Sequence, residues 1–178
     1  MRVLTIFGSP HLNGNTNKVL NMVIKDFDKS DDYKRVNLVN LNINHCLGCN
    51  KCNEEGYTCI FNDDMVKLYR LIEEADVVIL ATPIHFNSMT SIMKVMIDRC
   101  QRFFNMKVNN KYDFKKKIGV IIAVAGDNND EGFYCLKNIS KYFFLSINAK
   151  LEKTLLINDT DNTIESDFDL KVIQDMQK

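Results

Sequence analysis

Residues 2–16, RVLTIFGSPHLNGNT, decide the fold. Positions 2–8 form a short apolar run ending in glycine, the pattern of a strand buried on both faces. A polar loop follows. From about Asn15 a helix begins, with Leu20, Val23, Ile24 and Phe27 on one face at helical spacing. A buried strand that passes through a polar loop into a helix is the opening unit of an α/β sheet.

The unit recurs along the chain. Strands are expected at 34–41 (KRVNLVNL), 76–83 (DVVILATP), 117–126 (KIGVIIAVAG) and 149–158 (AKLEKTLLIN). Helices are expected at 62–75, 90–104, within 131–145 and at 166–177. The helix at 62–75 starts with Asn62 as cap and two acids that suit a positive N-terminal end, and Met65, Leu68, Tyr69 and Ile72 form its buried stripe. Five strand–helix alternations imply an α/β fold with a five-stranded parallel sheet and helices on both faces. Ligands of such sheets sit outside the carboxyl ends of the strands. The loops that matter are therefore 8–16, 42–61, 82–89 and 126–132.

Composition narrows the partners. The 178 residues carry 23 Lys+Arg and 23 Asp+Glu, so no long-range field draws the chain to nucleic acid or an anionic membrane. Lys115, Lys116 and Lys117 read as a solvated strand entrance. No apolar run approaches transmembrane length, and the first ten residues do not form a signal peptide. A single cytoplasmic domain over 1–178 is expected, with its six cysteines reduced. That disfavours disulfides and favours metal or redox chemistry.

The first loop, GSPHLNGNTNKV, lacks the Lys-Ser/Thr of a triphosphate loop and the GxGxxG of a dinucleotide fold. A cradle of backbone amides with Ser9, Asn15 and Thr16 suits a single terminal phosphate. The third loop, TPIHFNSMT, leaves its strand through Pro83, which fixes the exit and leaves backbone amides free for the edge of a flat ring. The second loop spans roughly twenty residues where 2–6 are usual. It carries CLGCNKCNEEGYTC, with Cys46, Cys49, Cys52 and Cys59 at x2, x2 and x6 spacings. Zinc usually recruits two separated pairs, whereas successive x2 spacings are similar to the run that wraps an iron–sulfur cube. Gly48 and Gly56 let the chain curl. A [4Fe–4S] cluster, zinc, and free or redox-active thiols all stay open on spacing alone. Cys100 and Cys135 lie among apolar residues at helical spacing and read as buried small hydrophobes. Lys94 and Asp98, at i and i+4, read as a surface ion pair.

GSPHLNGNT resembles the GSPRxxGNT phosphate loop of the flavodoxin-like NAD(P)H-dependent FMN reductases. CLGCNKC, DDM and ATPIHFNSMTSIMKVMIDR follow in family order, the last resembling (S/T)P(I/V)YFxSxxxxxKxxxDR. The resemblance implies a flavodoxin-like three-layer sandwich of strand order 2-1-3-4-5, with FMN on its rim. It places Ser9, His11, Gly14, Asn15 and Thr16 at the phosphate, with His11 where relatives often have Arg. It places Pro83, Ile84, His85, Phe86 and Asn87 beside the isoalloxazine, His85 standing in for the usual Tyr as a candidate proton-transfer group. Gly126 is implied to lie close to the flavin, where a side chain would block approach.

The cysteine spacing is similar to that of the iron–sulfur flavoproteins, a branch of this family. That likeness implies one [4Fe–4S] cluster on Cys46, Cys49, Cys52 and Cys59, a homodimer or larger homo-oligomer, and a redox protein such as ferredoxin as a possible partner beside NAD(P)H. The expected function is an FMN-dependent oxidoreductase in which flavin and cluster exchange electrons. The alternatives are a cluster-free NAD(P)H-dependent flavin, quinone or nitro reductase, and a non-enzymatic electron carrier or zinc-stabilised binding module.

Overall fold

The computed structural model describes residues 1–25, 32–128 and 130–162. Parallel strands β1 (Val3–Phe7), β2 (Tyr33–Asn37), β3 (Val77–His85), β5 (Lys117–Val124) and β6 (Ala149–Ile157) lie in the order β2-β1-β3-β5-β6. Among the parallel strands this is the expected 2-1-3-4-5. The two-residue β4 (Ser88–Met89) pairs antiparallel with the end of β3. The helices are α1 (Asn15–Ile24), α2 (Met65–Glu74), α3 (Ser91–Arg99), α4 (Gln101–Val108) and α5 (Asp130–Ser146). Phe27 and the helix expected at 166–177 lie outside the described residues.

The period-2 alternation of each strand sorts its side chains into two cores. Val3, Phe7, Ile79, Ile122 and Ile157 pack with Val19, Leu20 and Val23 of α1. Leu4, Ile6, Leu80 and Ile121 pack against Leu68 and Ile72 of α2, Met93 and Met96 of α3, and Phe144 of α5. Each such side chain contributes about 1.5–3 kcal/mol on burial. With both faces covered, the polar loops at the strand ends are the natural place for chemistry. Among the described residues no helix is long and apolar enough to cross a membrane.

Four local expectations need correction. The helix expected at 90–104 breaks at Cys100 because Tyr69 Oη donates 2.7 Å to the Arg99 carbonyl. Phe103 N then turns back to Cys100 O at 2.9 Å. Asn62 does not cap α2; the helix starts at Met65, whose N–H donates 3.1 Å to Asp63 Oδ1. Lys117 is no solvated residue: it is buried and donates to the carbonyls of Glu73 and Ala75 at 2.8 and 3.0 Å. Burial, with neighbouring Lys115 adding to it, brings its ammonium down to about 8, while Lys115 itself pairs with Asp76. Cys100 is buried as expected, but Cys135 is exposed, since it falls on the outer face of α5. The Lys94–Asp98 pair forms at 2.7 Å with both side chains near half exposure.

The rim is assembled through Thr90. Its hydroxyl donates 2.6 Å to Gly8 O and accepts the N–H of Met93 at 3.4 Å as the cap of α3. Its own N–H reaches Thr82 Oγ1 at 3.4 Å. A Cβ on Gly8 would lie 2.7 Å from Met93 Cε and 3.0 Å from Met93 Cβ, so only glycine lets the first loop seat against α3. Thr90→Val, which keeps the shape and strands the Gly8 carbonyl, is expected to lower the unfolding free energy by about 1–3 kcal/mol in urea titrations. Thr90→Ser is expected to retain most of it.

Candidate functional site

The first loop closes on itself before α1 begins. Ser9 is buried and its hydroxyl both accepts the His11 N–H and donates to the His11 carbonyl, each at 3.1 Å. Gly14 caps α1 in an extended conformation, and the first turn of the helix contains no acidic residue. Thr16 is buried in that turn and His11 is exposed. Among the described residues, the N–H groups of Leu12, Asn13, Asn15 and Thr16 have no protein acceptor. Unpaired amides at a helix N-terminus make an anion seat. The Asn15 side-chain amide also donates 3.1 Å to Thr160 O, which fastens this loop to the segment after β6.

Arg35 on β2 was missed in the sequence. Its guanidinium donates to Asn17 Oδ1 at 2.7 Å and Asn37 Oδ1 at 2.8 Å, and lies 4.2 Å over the Phe7 ring. Burial lowers its pKa, yet an arginine keeps its charge. This puts a fixed cation beside the first turn of α1. Parallel pairing of Arg35 with Thr5 creates the proximity, and no local pattern announces it.

The third loop is a tight hairpin and not an open segment. Pro83, Ile84 and His85 continue β3, and Phe86 and Asn87 turn with φ of 47° and 56° before Ser88 pairs with His85. Positive φ at both central residues is the type I′ pattern. Asn tolerates it; for Phe86 it costs about 1–2 kcal/mol. Phe86 is also fully exposed. Phe86 is thus a bulky residue held in a strained position at the tip of a rim hairpin. His85 is exposed beside it.

Gly126 is held bare by a protein neighbour. A Cβ there would lie 2.5 Å from Asp161 Oδ2. The segment after β6 folds back over this loop, with Asp161 N donating to Gly126 O at 3.0 Å and Thr160 Oγ1 to Ala125 O at 3.0 Å. Residues 158–162 therefore belong to the rim and were missed, although NDTDN is turn chemistry.

The cysteine loop is clamped at its base by two adjacent aspartates. Asp64 Oδ2 accepts from Asn42 N at 2.9 Å, and Asp63 Oδ2 accepts from Asn44 N at 2.9 Å. Arg99 completes the clamp, donating to Asp63 Oδ2 at 2.7 Å, Asp63 Oδ1 at 3.1 Å and Asn44 O at 2.7 Å. The two charged side chains are only 1% and 5% exposed. Burial alone would raise the Asp63 carboxyl, but the hydrogen bonds from Arg99 and Asn44 outweigh it and hold it at about 2. Above this base the chain curls through left-handed Gly48, Asn50, Gly56 and Tyr57.

All four expected cysteines, Cys46, Cys49, Cys52 and Cys59, line one pocket together with Phe61 and Arg99. Burial raises the Cys52 thiol, and Cys59 and Cys46 add to it through like-charge repulsion. Among the described residues no three Cys, His, Asp or Glu side chains converge on a point that would hold a single metal ion.

The depressed Asp63 pKa stabilises the folded state fully above the unfolded carboxyl value near 4 and fades as pH falls from there toward 2. Asp63→Asn is expected to unfold more easily at pH 7 by about 3–5 kcal/mol, because it leaves Arg99 buried without its partner. Between pH 4 and 2 it is expected to lose less further stability than the wild type. Urea denaturation across this window measures both.

The NADPH-dependent FMN reductase family profile matches residues 1–143. An iron–sulfur flavoprotein of Archaeoglobus fulgidus is 40% identical over 74% of this chain. The chain spans 58% of that relative's length. An iron–sulfur flavoprotein of Methanocaldococcus jannaschii is 31% identical over 82% of this chain and 72% of its own length. In fold, the FMN-dependent NADH-azoreductase of Bacillus anthracis superposes with a TM-score of 0.69 at 12% identity, covering 99% of this chain and 96% of that one. The chain belongs to the NADPH-dependent FMN reductase family, in the branch whose members are named iron–sulfur flavoproteins.

Proposed function

We propose that this protein is an FMN-dependent oxidoreductase that passes electrons between FMN on the sheet rim and a [4Fe–4S] cluster on Cys46, Cys49, Cys52 and Cys59. The carrying observation is that all four thiols line one pocket. A cube, whose thiolates each reach a different iron, needs four thiols around one space.

When bound, FMN supplies two-electron hydride chemistry and the cluster supplies single-electron transfer. The chain's own residues do the positioning. The amides at the start of α1, with Ser9, Gly14 and Thr16, hold the phosphate, and His11 and Arg35 bias the seat toward an anion. Asn15 ties that seat to the Thr160 turn. Pro83 to Asn87 form the wall beside the flavin ring, with Phe86 available for stacking and His85 to handle a proton at the rim. Gly126, kept bare for Asp161, lines the remaining side. Electrons enter from NAD(P)H or from a one-electron redox protein of ferredoxin type. The working form is a homodimer or larger homo-oligomer in the cytoplasm, whose reducing conditions keep the thiols reduced.

Anaerobic purification and reconstitution, followed by iron and acid-labile sulfide assay, tests the cluster. Four irons per chain are expected, and Cys49→Ala is expected to lose them while FMN still binds. A yellow protein that takes up no iron would favour the cluster-free reductase; one zinc per chain and no colour would defeat both readings. The phosphate seat is tested by flavin titration. FMN is expected to bind at least tenfold more tightly than riboflavin, and Thr16→Val is expected to erase about tenfold of that preference, as for a hydrogen bond to a charged group.

A further inference from the structure

One polar stripe of α4 is directed at the cysteine loop, and the proposed function does not use it. Gln101, Asn105 and Asn109 recur every four residues and so share one face of the helix and its C-cap. Asn105 Nδ2 donates to Cys52 Sγ at 3.3 Å. Gln101 Nε2 donates to Asn105 Oδ1 at 3.1 Å, which fixes the amide so that its NH2 end faces the sulfur. Asn109 Nδ2 donates to Asn53 Oδ1 at 2.8 Å and touches no sulfur. The stripe thus has one member that meets a thiol, one that orients it and one that anchors the Asn53 side chain of the adjacent turn.

We infer that Asn105 is a positioning residue that sets the reduction potential of the metal group held by Cys52. The inference rests on the cluster reading above. A ligating thiolate gains negative charge when its cluster accepts an electron, and an N–H donor on that sulfur favours the more negative state. Outer hydrogen-bond partners commonly act in this way on a metal ligand. Asn105 therefore makes reduction easier than an apolar neighbour would, and Gln101 prevents the amide from flipping its oxygen toward the sulfur. The fold supplies the donor because the break at Cys100 starts α4 afresh, and that helix packs along the turn at Lys51–Asn53.

The test uses the full chain, reconstituted anaerobically with FMN, iron and sulfide, and titrated with dithionite as one-electron donor while the reduced cluster is followed by electron paramagnetic resonance. Asn105→Ala is expected to lower the equilibrium constant for cluster reduction about tenfold, equivalent to 59 mV for a one-electron couple. Asn105→Asp, nearly isosteric but lacking the N–H donor, is expected to lower it further and carries the same test where Asn105→Ala assembles less cluster. Asn109→Ala is expected to leave the midpoint unchanged. Equal midpoints in wild type and both Asn105 variants overturn the inference. So does an equal fall in Asn109→Ala, which would trace the effect to a loosened loop. Loss of iron from both Asn105 variants, with Asn109→Ala fully loaded, also overturns it by making Asn105 a requirement for assembly. A wild-type protein that takes up no iron defeats the cluster reading itself, and this inference with it.

Discussion

The buried ion pair between Asp63 and Arg99 is the constraint on which the rest of the site depends. Burying two charges costs several kcal/mol per ion before any contact repays it. Repayment here comes from two-point contact between the guanidinium and carboxylate, the Asn44 carbonyl and amide, and the Phe61 ring 5.1 Å from the Arg99 guanidinium. Each contact lies at one end of the cysteine loop. The pair therefore turns a long excursion into a loop whose two ends are held together at one place, and that place also lines the thiol pocket.

The same residue links the two halves of the rim. Arg99 ends α3, and Thr90 caps its other end while bonded to Gly8. A nine-residue helix spans about 13 Å, so α3 acts as a spacer of fixed length between the first loop and the cysteine loop. Met93 and Met96, both fully buried, hold that spacer against the sheet. Motion at one loop cannot be absorbed within α3 without opening the core. Whatever the two loops bind is held at a separation set by the fold and not by the loops themselves.

The fold was legible in the sequence because it rests on local period. β1, β3 and β5 are apolar runs in which nearly every residue is buried on one face or the other, and strand–helix alternation then fixes the parallel sheet. Features that depend on distant partners were not legible. Apolar spacing runs unbroken from Met93 through Met96, Cys100 and Phe103; the break comes from a hydroxyl on Tyr69, thirty residues earlier. The DDM and DR pairs are visible as family motifs, but nothing local says that Asp63 and not Asp64 takes Arg99. Arg35, Lys117 and Asp161 likewise acquire their roles only through sheet register or a returning segment. Within the candidate site, the four cysteines were legible from spacing. The residues expected at the flavin were legible only through resemblance, and the added contacts of Asn15 with Thr160 and of Gly126 with Asp161 were not legible at all.

The restraints on the cysteine loop form a gradient, and that gradient follows from its composition. Leu47 and Ile60 are exposed, so apolar burial holds the loop only near its start, where Ile43 packs on the core. The aspartate–arginine base is buried and charge-assisted, and loses several kcal/mol if broken. The tip is held by neutral amide contacts from Asn105 and Asn109, each contributing about 0.5–1.5 kcal/mol, and by an exposed Lys51–Glu54 pair that adds little. The base is therefore stiff and the tip soft. Without the Arg99 clamp the two ends of the loop would lose the buried attachment that holds them beside α3.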